Sequence, residues 1–106
     1  MKRGEVWWVK FDPAVGGEIQ KTRPAIIVSN DIANRFLNRV QVVPLTSQTD
    51  KVYPSETLVT LNGQDRKALA NQLTTASKLR LTSLVGHLSA EDVLKVEEAI
   101  RIQLGL

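Results

Sequence analysis

Two apolar runs, Val6–Phe11 and Ala25–Val28, are joined by a connection longer than the few residues a plain hairpin needs. The stretch Val15–Pro24 opens on a glycine pair, then places Glu18, Lys21 and Arg23 within six positions and ends in Arg23-Pro24. The proline ring disfavours the α region for the residue before it, so Arg23 is expected to be held extended as the second strand begins. An arginine fixed at the mouth of a strand beneath a glycine-hinged loop is a charge placed to meet an anion.

The rest of the chain continues in short extended units. Glu5–Phe11 is rich in aromatic and branched residues and is bounded by Gly4 and Asp12-Pro13, which predicts a strand. Trp7 and Trp8 then face opposite sides, one in the core and the other either covering the barrel or a dimer surface or exposed beside the loop to stack on a base. Pro24–Ser29 reads as a central strand buried on both faces, and Asn30 or Asp31 as the cap of a short helical turn. Arg39–Ser47 predicts a third strand, in which Pro44 marks an edge, a bulge or the strand's end. Thr46 and Ser47 fall where that strand gives way to the polar stretch Gln48–Ser55. Glu56–Leu61 alternates and is followed by the turn Asn62-Gly63. In Lys67–Ala76, alternation assigns Leu69 and Leu73 to one face. Val85–Leu88 predicts a last short strand.

Helical spacing appears only near the end. Ser89 and Asp92 form a capping box; Val93, Val96, Ile100 and Leu104 recur on one stripe, and Gly105 closes the helix. Its acids Glu91, Asp92, Glu97 and Glu98 read as a solvated face. Five or six strands with one terminal helix predict a single domain over residues 1–106, mainly β: a small, bent antiparallel sheet closing towards a barrel, with the helix packed on it.

Composition narrows the chemistry. At 42% hydrophobic and 24% charged residues the chain has an ordinary globular balance, and no apolar run approaches the roughly 20 residues that span a bilayer. Lys2 and Arg3 are not followed by the apolar stretch of a signal peptide, so a cytoplasmic location is expected. Cysteine is absent, which excludes disulfides, thiolate metal sites and cysteine nucleophiles. The net charge of +3 is modest, but Lys2, Arg3, Lys10, Lys21, Arg23, Arg35 and Arg39 concentrate in the first half, consistent with a basic face for a polyanion. The single histidine, His87, lies in an apolar strand and is read as buried or structural. Acids occur one per loop, without the spacing of a two-metal nuclease. What remains is a cation on an ordered strand (Arg23), hydroxyls at another strand's end (Thr46, Ser47), a loop acid (Glu18) and loose cations (Lys21, Arg3). These can stabilise an oxyanion or a phosphorane. Spacing alone leaves Arg23 open between that role and a surface ion pair with Glu18.

Several motifs taken together are more specific. Arg3-Gly4-Glu5-Val6-Trp7, Asp12-Pro13, Gly16-x-Glu18, Lys21-x-Arg23-Pro24 through Asp31, Val43-Pro44-Leu45-Thr46-Ser47 and the closing Leu104-Gly105-Leu106 resemble the MazF/PemK family of toxin endoribonucleases, in order and over nearly the whole chain. The resemblance implies an SH3-like β-barrel homodimer that cleaves single-stranded RNA at short sequences, without a metal or other cofactor, and is neutralised by a cognate MazE-like antitoxin. It implies catalytic roles for Arg23, Thr46 and Glu18, and contact with RNA by Arg3, Lys21, Ser47, Asn71, Gln72 and Leu73. Gly17 departs from the polar residue many members carry there. The implied chemistry is attack by the RNA's own 2′-hydroxyl on the adjacent phosphorus, leaving a 2′,3′-cyclic phosphate and a 5′-hydroxyl. Two other readings share the barrel: a CcdB-like toxin that binds gyrase, and a non-catalytic RNA-binding module. The first depends on a tryptophan near the C-terminus, where this chain has Ile102–Leu106.

Overall fold

The computed structural model describes residues 1–106. Seven strands and two helices follow in the order β1 (Glu5–Lys10), β2 (Thr22–Ile27), α1 (Asp31–Phe36), β3 (Arg39–Thr46), β4 (Glu56–Leu61), β5 (Gln64–Leu69), β6 (Thr74–Ser77), β7 (Leu81–His87) and α2 (Ala90–Leu104). Every strand pairing is antiparallel. The spatial order is β4-β5-β3-β2-β1-β7, with β6 added against β3, so β4 and β7 remain unjoined and the curled sheet stops short of a closed barrel.

The curl has local causes. The pairing of β1 with β7 shifts register twice, between Val6 and Trp7 and between Trp8 and Val9, and each such irregularity increases the local bend. Strand β3 changes partner along its length. Residues 39–42 pair with β6 and residues 45–46 with β5, while Val43 and Pro44 pair only with β2. Pro44 has no N–H to offer and occupies that gap, buried, two residues before the strand's end.

Because side chains alternate across a strand, the two faces of β1–β3 feed two apolar clusters. Val6, Ile26, Val43 and Leu45 meet Val59, Leu61, Ala68, Leu88 and Val96. Val9, Ala25, Ile27, Val40 and Val42 meet Ala76 and Leu81 on the other face. The expectation that β2 is buried on both sides holds: Ala25, Ile26 and Ile27 are all 0% exposed. Trp7 is half-buried against the second cluster, its indole N–H donating to Glu5 Oε1 (3.0 Å), whereas Trp8 points to the opposite side and is 41% exposed.

Helix α2 is capped as expected at its start, Ser89 Oγ accepting from the Asp92 N–H (3.1 Å), and at its end, Gly105 adopting φ 71°. Asp92 and Glu97 correct the solvated-face reading of the helix acids. Asp92 is buried, its carboxylate accepting from the Thr60 N–H of β4 (2.9 Å) rather than returning to Ser89. Glu97 pairs with Arg3 at 3.3 Å. Two further expectations change. A 3₁₀ turn over Ala70–Gln72 interrupts the alternation of 67–76, so Leu69 and Leu73 do not share a face: Leu73 packs against the first cluster. His87 is exposed at the end of β7, an edge strand, rather than buried.

Candidate active site

The β2–β3 ladder carries the geometry that matters. Ile27 pairs with Val42, Ile26 with Val43 and Ala25 with Pro44. Extending that register by two residues sets Arg23 opposite Thr46, on the same face, where antiparallel neighbours stand about 5 Å apart. On the far side of β3, Thr46 pairs with Lys67 of β5. Three strands thus contribute one row: Arg23, Thr46, Lys67. The row opens into a hollow of about 270 Å³ that also takes in Ser47 and Gln48 and is walled by Ile19 and Leu69.

Within it, each group retains free hydrogen-bonding capacity. Arg23 Nε donates to the Gln20 carbonyl (3.2 Å), which fixes the plane of the guanidinium, while both terminal nitrogens have no protein partner. None of the four ion pairs involves Arg23. Of the two readings that spacing left open, the pair with Glu18 is therefore not formed. Thr46 Oγ1 accepts from the Gln48 N–H (3.2 Å), so its own proton is left to donate outward. A planar two-pronged donor beside a hydroxyl donor matches the oxygens of a phosphodiester.

Of the other residues singled out from the sequence, Ser47 lines this hollow and the rest do not. Glu18 is exposed, its Oε1 accepting from the Val15 N–H (2.7 Å), and lines a neighbouring hollow of about 200 Å³ with Phe11, Pro13, Gln72 and Arg80. Ile19 borders both cavities and separates them. Gln72 uses both ends of its amide on the loop, its Oε1 accepting from the Ile19 N–H (3.2 Å) and its Nε2 donating to the Gly17 carbonyl (3.1 Å). Lys21 is exposed on the same loop with φ 65°, its N–H donating to Asp12 Oδ1 (3.0 Å). Asn71 is exposed beside Gln72. Arg3 lies elsewhere: its Nε donates to the Val28 carbonyl (3.1 Å) and its guanidinium meets Glu97.

Lys67 and Gln48 were not singled out in the sequence. Gln48 follows Thr46-Ser47 directly and its place was readable as the continuation of that turn. Lys67 sits in a segment whose alternation alone gave it no special place. The only signal would have been its register with Thr46, which no local pattern encodes.

Comparison with known proteins identifies the family and the fold. Residues 2–104 match the family described as PemK-like, MazF-like toxin of type II toxin-antitoxin systems. The chain is 41% identical to Endoribonuclease MazF9 of Mycobacterium tuberculosis, covering 100% of this chain and 98% of that protein. It is 35% identical to Endoribonuclease EndoA of Bacillus subtilis, over 100% of this chain and 96% of that one. Among solved structures, a MazE-MazF structure from Deinococcus radiodurans superimposes with a TM-score of 0.78 at 27% identity, over 100% and 97% of the two chains. With a family match over nearly its full length and relatives above a third identical end to end, this chain belongs to the PemK/MazF family of type II toxin–antitoxin toxins.

Proposed function

We infer that this protein is an endoribonuclease toxin that cuts single-stranded RNA, inhibiting translation and growth, and that the Arg23–Thr46 pair is its reaction centre. The observation that carries the reading is the open hollow shared by an unpaired guanidinium and an outward-donating hydroxyl, which face each other when the β2–β3 register is extended. RNA supplies its own nucleophile. The 2′-oxygen attacks the adjacent phosphorus, the P–O5′ bond breaks, and the products are a 2′,3′-cyclic phosphate and a 5′-hydroxyl. In the pentacovalent transition state the non-bridging oxygens gain negative charge, which Arg23 clamps with its two terminal nitrogens and Thr46 binds with its proton. A guanidinium stays protonated in a protein, so Arg23 acts as an electrostatic clamp. Water takes the 2′ proton, because Glu18 faces the neighbouring hollow, and water delivers a proton to the departing 5′-oxygen as the P–O5′ bond breaks; Glu18 reaches the centre only if its loop swings past Ile19. Ser47 lines the hollow, and it would meet the RNA strand together with Lys21, exposed on the loop before β2, and Asn71, exposed beside Gln72.

The family points to a MazE-like antitoxin as partner and to a homodimer as the working form, and an RNA substrate places the action in the cytoplasm. No helix is long and apolar enough to cross a membrane.

The test is cleavage of a defined transcript in EDTA with the product ends mapped. Cuts at a short recurrent sequence, bearing 2′,3′-cyclic phosphate ends, are expected. Arg23→Ala should slow the reaction by about 10²–10³-fold while leaving the fold intact. Intact RNA, or a fully active Arg23→Ala protein, contradicts the assignment.

A further inference from the structure

The third member of the row is a buried cation that the chemistry above does not use. Lys67 is 8% exposed, yet it lines the Arg23–Thr46 hollow. Its Nζ sits 3.2 Å from Glu56 Oε1 on β4 and donates to the Lys51 carbonyl at 2.7 Å. Glu56 lies diagonally across the β4–β5 ladder from it, since Glu56 pairs with Leu69 and Leu58 with Lys67. The same Glu56 oxygen accepts from the Tyr53 N–H (3.0 Å).

Both members of one ion pair are therefore bonded to the loop that leaves Thr46. Lys67 holds it at Lys51 and Glu56 holds it at Tyr53. At its other end that loop forms part of the hollow, through Ser47 and Gln48, and the Gln48 N–H is the donor that orients the Thr46 hydroxyl. The Glu56 carboxylate cancels most of the field the ammonium would exert on a nearby phosphate. What the pair contributes is then placement more than charge. Placement matters steeply in such a site, where a displacement of about 1 Å can cost on the order of 10²-fold in rate.

We propose that Lys67, neutralised by Glu56, is a positioning residue for RNA cleavage: it clamps the 47–55 loop so that Thr46, Ser47 and Gln48 meet the scissile phosphate in the reactive geometry. The proposal rests on the Arg23–Thr46 reading of the site.

It is tested with Lys67→Met/Glu56→Gln, which removes both charges together and avoids leaving either buried alone. Steady-state cleavage of a short RNA containing the mapped site is measured beside wild type and Arg23→Ala, with circular dichroism confirming the fold. The folded double variant is expected to lose at least tenfold in kcat while KM stays within about threefold. A smaller loss in kcat, or a rise in KM in its place, overturns the proposal. Should the double variant not fold, Tyr53→Pro removes one loop tie from an exposed position; a kcat loss of at least threefold with KM unchanged supports the clamp, and wild-type kcat overturns it. An active Arg23→Ala protein instead brings down the reading of the site itself, so the two failures are distinguishable.

Discussion

At the scale of single residues, local chemistry and long-range placement separate cleanly. The extended hold on Arg23 was legible because it comes from the next residue, Pro24. Spacing left open whether its guanidinium pairs with Glu18, and the fold leaves that pair unformed. The direction of Glu18 was not legible, because its loop is braced by Gln72, 53 and 55 residues from the backbone groups that it holds. Asp92 misled for a related reason: its partner, the Thr60 N–H, comes from a strand that helix periodicity cannot reveal. Asp31 shows how one side chain ties distant segments. Its carboxylate accepts from the Arg3 N–H (2.7 Å) and from Asn34 Nδ2 (3.2 Å), and these bonds hold its pKa below the usual 3.8. A depressed carboxylate contributes stability above its unfolded pKa and loses it as pH falls through the folded value. Urea titrations from about pH 5 to about pH 3 should therefore show stability falling, and Asp31→Asn should flatten that fall. An unchanged slope would mean the two bonds do not favour the ionised form. Glu5 acts in the same sense. Burial raises its pKa, but the Lys2 N–H and the Trp7 indole outweigh that and bring it below 4.5.

At the scale of elements, turn and cap signals translated well and strand partners did not. Ser89 and Gly105 bound α2 as their residue types dictate, and Asn30 caps α1 by accepting from the Ala33 N–H (2.9 Å). Ser89→Ala should lower unfolding free energy by about 1 kcal/mol, read from the urea midpoint at constant m-value. The helix face buried under that cap makes the effect global rather than a fraying of one turn, since Val96 is 0% exposed against the first cluster. The sequence pattern also identified β3, but its exchange of β6 for β5 around Pro44 depends on where two later strands end up. That exchange decides the site. With β6 continuing along β3, Lys67 would have no place beside Thr46.

At the scale of the whole molecule, the basic surplus has a measurable consequence. A net charge of +3 is small, so RNA binding must come from cations gathered along one path and not from the overall field. Contact with about four phosphates gives a slope near −3 for log K against log salt on single strands, from about −0.7 per phosphate. Binding measured by fluorescence anisotropy across salt concentrations checks this, and a flat response would contradict a path of cations along the RNA. The curled sheet and its terminal helix were within reach of residue patterning, and the roles of Arg23 and Thr46 were what the family resemblance implied. The place of the Lys67–Glu56 pair beside Thr46 was not legible, because it needs β5 aligned with β3 as well as with β4.

That alignment has a practical corollary. Arg23, Thr46 and Lys67 share a face only when two separate ladders are each in step, and a slip of one residue would turn Thr46 towards the opposite cluster. With this row as the proposed reaction centre, catalytic competence becomes a timer for strand registration: during renaturation, RNA-cutting ability is expected to return when the last ladder locks, however early secondary structure becomes visible.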